Sequence, residues 1–92
     1  MSVVIVIEPS VVLELGARSA ILLGYLEMYQ RGVSTYEGWF GVHEKYVLND
    51  TGLTRNCQAT ARKFLVGAEL LETKPGGTSA ITMYKIKATV LQ

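Results

Sequence analysis

The sequence predicts an α+β domain with about three helices, a C-terminal β-hairpin and an additional N-terminal strand. Three observations lead to this prediction. Apolar residues recur at helical spacing between residues 17 and 30. Gly52 separates a short apolar segment from a longer amphipathic run that begins near Thr54. A Pro-Gly-Gly sequence at 75–77 then indicates a tight turn, and a segment of alternating residues follows it.

Composition favours a single domain over residues 1–92. The chain is 49% hydrophobic and 18% charged, which suits one small core. The apolar segment Val3 to Ile7 has no positively charged leader and is closed by Glu8-Pro9, so we expect a β-strand there and neither a signal peptide nor a membrane span. A turn is expected at Pro9-Ser10, and residues 11–15 either extend the sheet or begin the first helix.

Cysteine and histidine are too few for several kinds of site. Cys57 is the only cysteine, which excludes an internal disulfide, and with His43 as the only histidine a tetrahedral zinc site lacks its preferred ligands. We therefore expect a cytoplasmic protein without a metal or cofactor. No spacing of serine, histidine and carboxylate residues suggests a catalytic triad, so an enzyme is not predicted.

The first helix is predicted from about Ala17 to Gln30, with Arg31-Gly32 ending it. It should be the central pillar of the core because its apolar face is broad. The apolar residues of that face are Ile21, Leu22, Tyr25, Leu26, Met28 and Tyr29.

Short elements are predicted after this helix. Residues 33–36 should form a loop, and residues 39–42 a short strand in which Trp39 and Phe40 face the core or a partner. Residues 44–51 are long enough for about two helical turns, which Gly52 would end. His43 stands immediately before this helix and could cap it.

A longer helix is predicted from Thr54, its cap, to about Ala68. One stripe is apolar and the opposite face is polar. The apolar stripe contains Cys57, Ala61, Phe64, Leu65 and Ala68. The polar face contains Arg55, Asn56, Gln58, Ala59, Arg62 and Lys63. Its guanidinium and amide groups are able to meet base edges and phosphates.

The hairpin is predicted from Lys74-Pro75-Gly76-Gly77, which has proline and glycine where a type II turn needs them. Residues 77–81 would form its flexible tip. On the return strand, residues 82, 84, 86, 88 and 90 alternate with residues 81, 83, 85, 87 and 89, so one side could pack while the other carries Lys85 and Lys87. These two lysines could contact a phosphate backbone, or they could protect a sheet edge from aggregation.

The two halves of the chain differ in charge although the whole chain has a formal net charge of only +1. Residues 1–54 contain three basic and six acidic side chains, a net charge of −3. Residues 55–92 contain six basic and two acidic side chains, a net charge of +4. The small total argues against a protein that coats nucleic acid through bulk electrostatics, but the positive half coincides with the longer helix and the hairpin.

Residues from about 18 to 88 resemble the winged helix-turn-helix superfamily, particularly small regulators and replication modules of phages and plasmids. The positions that match in order are Gly52, Leu53, Thr54, Arg55, Ala61, Leu65, Leu70 and Leu71. Three positions depart from the pattern. Cys57 stands where threonine is common, Gln58 where a buried valine is common, and Glu69 where glycine often enters the wing.

The resemblance implies binding of double-stranded DNA, with the helix from about Thr54 in the major groove and the 74–85 hairpin as the wing. It implies a phosphate contact for Thr54 and base contacts for Arg55, Asn56 and Gln58. The residues to which it gives phosphate contacts through basic side chains are Arg62, Lys63, Lys74 and Lys85.

Three functions remain open at this point. The first is a sequence-specific transcriptional regulator, expected to be a homodimer that uses either Val3 to Ile7 or the first helix as its interface. The second is a replication or partition module. The third is a protein-binding winged domain, for example a phage inhibitor of a host protein, which the small net charge and a mean hydropathy of +0.25 also permit. A charged helix face is usually only a solvated face, and Cys57 is expected to be a core residue.

Overall fold

The computed structural model describes residues 16–78 and 80–87. Its elements are α1 (Ala17–Arg31), β1 (Trp39–His43), α2 (Glu44–Thr51), α3 (Arg55–Gly67), β2 (Leu71–Pro75) and β3 (Ile81–Ile86). Within the described residues this order confirms the α+β class, three helices and a C-terminal hairpin. The predicted strand Val3 to Ile7, the turn at Pro9-Ser10 and residues 11–15 and 88–92 lie outside the described residues.

The three strands form one antiparallel sheet in the order β1-β3-β2. Trp39 and Glu72 both pair with Lys85, from the two sides of β3. β3 is therefore the central strand, and the interpretation of Lys85 as a protector of a sheet edge is wrong. Lys87 follows the end of β3 and its backbone N–H donates to Leu70 O at 3.0 Å.

Alternation along the strands gives the sheet an inner and an outer face. Phe40 and Tyr84 are partners in register and lie in the core, so the inner face packs against the helices. Trp39, Lys74 and Lys85 have the opposite parity and lie on the outer face. The prediction that one side of the return strand packs while the other carries lysine is confirmed for Tyr84 and Lys85.

Helix α1 is the centre of the core, as predicted. Leu22 and Leu26 have no exposed surface, and Tyr25 is 2% exposed. Every residue from 19 to 27 is buried except Ile21, which is half-buried. The exposed and half-buried positions of α1 are therefore Ile21 and the residues at the two ends of the helix.

Local capping determines the two helices that follow. His43 Nδ1 accepts the backbone N–H of Lys45 at 3.0 Å, which confirms His43 as the cap of α2. Gly52 ends that helix at φ +79°, a left-handed conformation that glycine adopts without strain. Thr54 Oγ1 then accepts the N–H of Cys57 at 3.3 Å, so Thr54 caps α3 as expected.

The hairpin turn differs from the predicted type II turn. β2 continues through Pro75, which pairs with Thr82, and the positive φ falls at Gly77 rather than Gly76. Proline is tolerated there because β2 is an edge strand and needs no second ladder of hydrogen bonds. Gly76 is required for a different reason: a Cβ on it would lie 2.8 Å from the carbonyl oxygen of Ile81.

The apolar stripe predicted for α3 is only partly buried. Ala61 and Leu65 are in the core, but Phe64 is 47% exposed and Ala68, which ends the helix, is also exposed. Glu69 follows at φ +61°, so the chain enters β2 through a left-handed residue. A helix of the length and hydropathy that a membrane crossing requires does not occur among the described residues.

Candidate nucleic-acid interface

The outward face of α3 is the part of the described chain that most resembles a nucleic-acid contact surface. Asn56, Thr60 and Lys63 are exposed and lie on one side of the helix, with the small side chain of Ala59 between them. Arg55 lies at the margin of this face, where its side chain is 71% exposed. The thirteen residues of α3 include three cations and no carboxylate.

Gln58 does not belong to this face, and its expected role as a base contact is wrong. The residue is 1% exposed. Its side-chain Nε2 donates to Leu53 O at 2.9 Å and to Glu44 O at 3.1 Å. The donors of the amide are therefore used inside the protein, where they cannot reach a base.

The same two hydrogen bonds hold α3 in place. Leu53 lies in the turn between the helices and is itself buried, while Glu44 is the first residue of α2. Gln58 thus ties the first turn of α3 to the start of α2 and to the connecting turn. Thr51 strengthens the turn because its hydroxyl donates to Val47 O at 2.6 Å and accepts the N–H of Leu53 at 3.1 Å.

Thr54 is exposed at the N-terminus of α3. Its oxygen accepts the Cys57 amide, and its own proton remains to be donated to the Cys57 sulfur or to a phosphate. The hydrogen bond from Thr54 lowers the pKa of Cys57, burial opposes this, and the positive charge of Arg18 lowers the pKa further. Arg18 of α1 therefore acts electrostatically on the first turn of α3. Cys57 is half-buried against the core, as expected for a packing residue.

Arg55 is linked to the hairpin through Glu44. Its Nε lies 3.4 Å from Glu44 Oε2, and the backbone N–H of Glu44 donates to Ala80 O at 2.9 Å. The loop of the hairpin, the start of α2 and the start of α3 consequently meet. Ala80, at the β3 end of the hairpin loop, is therefore connected through Glu44 to the N-terminal end of α3.

The remaining basic residues of the prediction are not brought together with this face. Arg62 is half-buried, and its Nη1 donates to Tyr84 Oη at 3.3 Å, toward the sheet. Lys74 Nζ lies 4.1 Å from the centre of the Trp39 ring, a cation–π contact on the outer face of the sheet. The Lys85 side chain packs over Gly38 on that same face. The predicted cations are therefore divided: Arg55 and Lys63 lie at the outward face of α3, Arg62 is directed toward Tyr84, and Lys74 and Lys85 lie on the outer face of the sheet.

Three residues of the site were not predicted. Thr60 lies one helical turn after Asn56, so helical spacing alone could have identified it. Glu44 and Arg18 approach α3 only through tertiary packing, and local sequence contains no signal for either.

A metal centre has no support among residues 16–78 and 80–87, where no group of three or more histidine, cysteine or carboxylate residues could hold an ion. The arrangement offers hydrogen-bond donors and positive charge on a rigid helix. Comparison of the chain with protein-family models, with curated proteins and with solved structures finds no match.

Proposed function

We propose that this chain is a winged helix-turn-helix domain that binds double-stranded DNA sequence-specifically and acts as a transcriptional regulator. The observation that carries the proposal is the outward face of α3, which presents amide, hydroxyl and cationic groups without a carboxylate. An exposed helix of this composition suits the major groove, where side chains distinguish base pairs by their donor and acceptor patterns.

The order of the elements supports this fold assignment. A short strand precedes α2, a hairpin follows α3, and the hairpin loop reaches the start of α2. At two positions where the residue type departs from the winged-helix pattern, the burial or backbone conformation still matches that pattern and supports the assignment. Gln58 is buried at the position where valine is common, and Glu69 has a positive φ where glycine is common.

Each residue of the face has a distinct role in the proposal. Arg55 and Asn56 contact base edges, because guanidinium pairs bidentately with guanine and an amide with adenine. Lys63 contacts a phosphate, and Thr54 with the first amides of α3 contacts another. Glu44 holds the Arg55 guanidinium before DNA is bound. We include a homodimer in the proposal because one short recognition helix gives limited specificity.

The test is selection of binding sites from a random duplex library with the purified chain. A dimeric regulator enriches an inverted repeat whose half-sites lie about 10 base pairs apart, centre to centre. Arg55→Ala and Asn56→Ala should each lose about 1–3 kcal/mol of binding to the selected site and relax the preference at one base pair.

Arg31→Ala is the matched control, since Arg31 is exposed at the far end of α1, about 20 Å along the helix from Arg18. It should bind as the parent chain does. Enrichment of iterated direct repeats would favour a replication or partition module. Failure to enrich any sequence, together with no binding to random duplex at low salt, would refute DNA binding altogether.

A protein-binding winged domain is the second candidate because α3 also exposes apolar side chains. Phe64 and Val66 are 47% and 42% exposed, respectively. DNA contact alone does not explain two large apolar residues near the end of a recognition helix. Under this alternative, Phe64→Ser weakens capture of the protein partner while Arg55→Ala has little effect.

A further inference from the structure

A cleft lies between α1 and α2, apart from the outward face of α3. It has a volume of about 410 Å³ and is lined by Tyr25, Met28, Tyr29, Tyr46 and Asp50. A volume of this size falls within the range of small-molecule sites. Tyr46 is 54% exposed at its mouth, while Tyr25 is 2% exposed at its base.

The aromatic walls are fixed by ring contacts. The centroids of Tyr25 and Tyr29 are 5.9 Å apart, and Tyr29 stacks on Phe40 of the core at 6.2 Å. Tyr46 makes an edge contact with His43, the cap of α2, at 6.1 Å. The rings are therefore held before a ligand arrives, which lowers the ordering cost of binding.

The only charged group among the described residues that line the cleft is the carboxylate of Asp50. Tyr25 Oη donates to Asp50 Oδ2 at 2.7 Å. Burial raises the pKa of Tyr25 and the bond to Asp50 raises it further, so the phenol remains a donor at neutral pH. One accepted hydrogen bond leaves most of the acceptor capacity of the carboxylate unused.

We propose that this cleft binds a small organic cation of the alkylammonium class. The rings of Tyr29 and Tyr46 supply the aromatic surface that attracts a quaternary or primary ammonium group. The Met28 thioether adds a polarisable contact, and Asp50, which the buried Tyr25 hydroxyl holds, balances the charge. The proposal concerns a site apart from α3 and stands whether or not the chain binds DNA.

The test compares choline with 3,3-dimethylbutan-1-ol, which has the same shape but carbon in place of the charged nitrogen. Each is titrated into the ¹⁵N-labelled chain while amide chemical shifts of α1 and α2 are followed. Choline should bind with a Kd on the order of 1 mM and at least about tenfold more tightly than the alcohol.

Three variants locate the site. Asp50→Asn retains an acceptor for Tyr25 but removes the charge, and should weaken choline about fivefold to tenfold without changing the alcohol. Tyr46→Ala alters only an exposed ring, so it should fold and bind choline several-fold more weakly. Tyr36→Ala, which removes a ring that is 78% exposed outside the cleft, should change nothing. Equal affinity for the two compounds, no binding of choline, or choline binding that Asp50→Asn leaves intact would each overturn the proposal.

Discussion

The side-chain amide of Gln58 joins three segments of the candidate interface. It is 1% exposed, donates to the carbonyls of Leu53 and Glu44, and has an Oε1 without a hydrogen-bond partner among the described residues. A buried amide of this kind fixes geometry at some cost in stability, because one of its polar atoms is desolvated without compensation.

We predict that Gln58→Leu lowers the free energy of unfolding by about 1–3 kcal/mol, because Leu53 O and Glu44 O lose a buried donor while the volume is nearly kept. Urea unfolding followed by Trp39 fluorescence measures this. Asn49→Ala, which removes an exposed amide from α2, should stay within about 0.5 kcal/mol of the parent chain. A Gln58→Leu variant as stable as the parent would contradict this prediction and would mean that apolar packing replaces the two hydrogen bonds.

The burial of Gln58 shows where sequence interpretation failed at single residues. Gln58, Ala61 and Leu65 have the i, i+3, i+7 spacing of a core stripe, so their positions alone indicate burial. The polarity of glutamine suggested the opposite. Phe64 is the opposite case, because it was expected on the apolar stripe but its ring is 47% exposed. When a polar side chain has hydrogen-bond partners inside the protein, its position on the helix predicts burial better than its residue type does.

At the scale of elements, two glycines at or near helix ends make it possible to separate how backbone conformation and side-chain packing each affect stability. Gly52 and Gly67 both have open space where a Cβ would lie, with no atom within 4 Å. They differ in conformation, because Gly52 has φ +79° and Gly67 is the last residue of α3 without a positive φ. Any difference between alanine substitutions at the two positions therefore reflects the backbone.

We predict that Gly52→Ala lowers the free energy of unfolding by about 1–2 kcal/mol, because an L-residue is strained in the left-handed region. Gly67→Ala should raise it by about 0.5–1 kcal/mol, because alanine loses less conformational freedom in a helix. Thermal or urea unfolding of the two variants beside the parent measures both. Two changes of the same sign would show that the open space at one of these positions is filled in solution.

Element boundaries were predictable because their signals are local. The bounds of α2 follow from His43 and Gly52, and those of α3 from Thr54 and Gly67, each within a residue or two of the expected position. The hairpin turn was placed one residue too early, since its register depends on pairing between β2 and β3. Pairing joins residues distant in sequence, and a turn motif does not specify it.

At the scale of the whole molecule, the fold separates charges that the sequence groups together. Six of the nine basic residues lie in the half of the chain that begins at Arg55. Packing directs Lys63 outward from α3, whereas Lys74 and Lys85 lie on the sheet face that points away from the helices. A count of charges along the chain cannot reveal this division, because sheet order and strand parity decide it. Helix and hairpin therefore do not form one basic surface: Arg55 and Lys63 lie on or beside the outward face of α3, and residues 76–80 of the hairpin loop include no lysine or arginine.

This division leads to a prediction about salt dependence that rests on the proposed DNA binding. Each phosphate contact that is lost lowers the slope of log K against log salt concentration by about 0.9. Lys63→Ala should show this decrease and weaken all sequences alike. Lys85→Ala should leave the slope unchanged, because its stem packs over Gly38 and Glu72 lies opposite it in register. Fluorescence anisotropy at several salt concentrations, with Arg31→Ala as the control, measures the slopes. An equal decrease for Lys63→Ala and Lys85→Ala would contradict this prediction, because it would mean that DNA phosphates contact both the outward face of α3 and the outer face of the sheet.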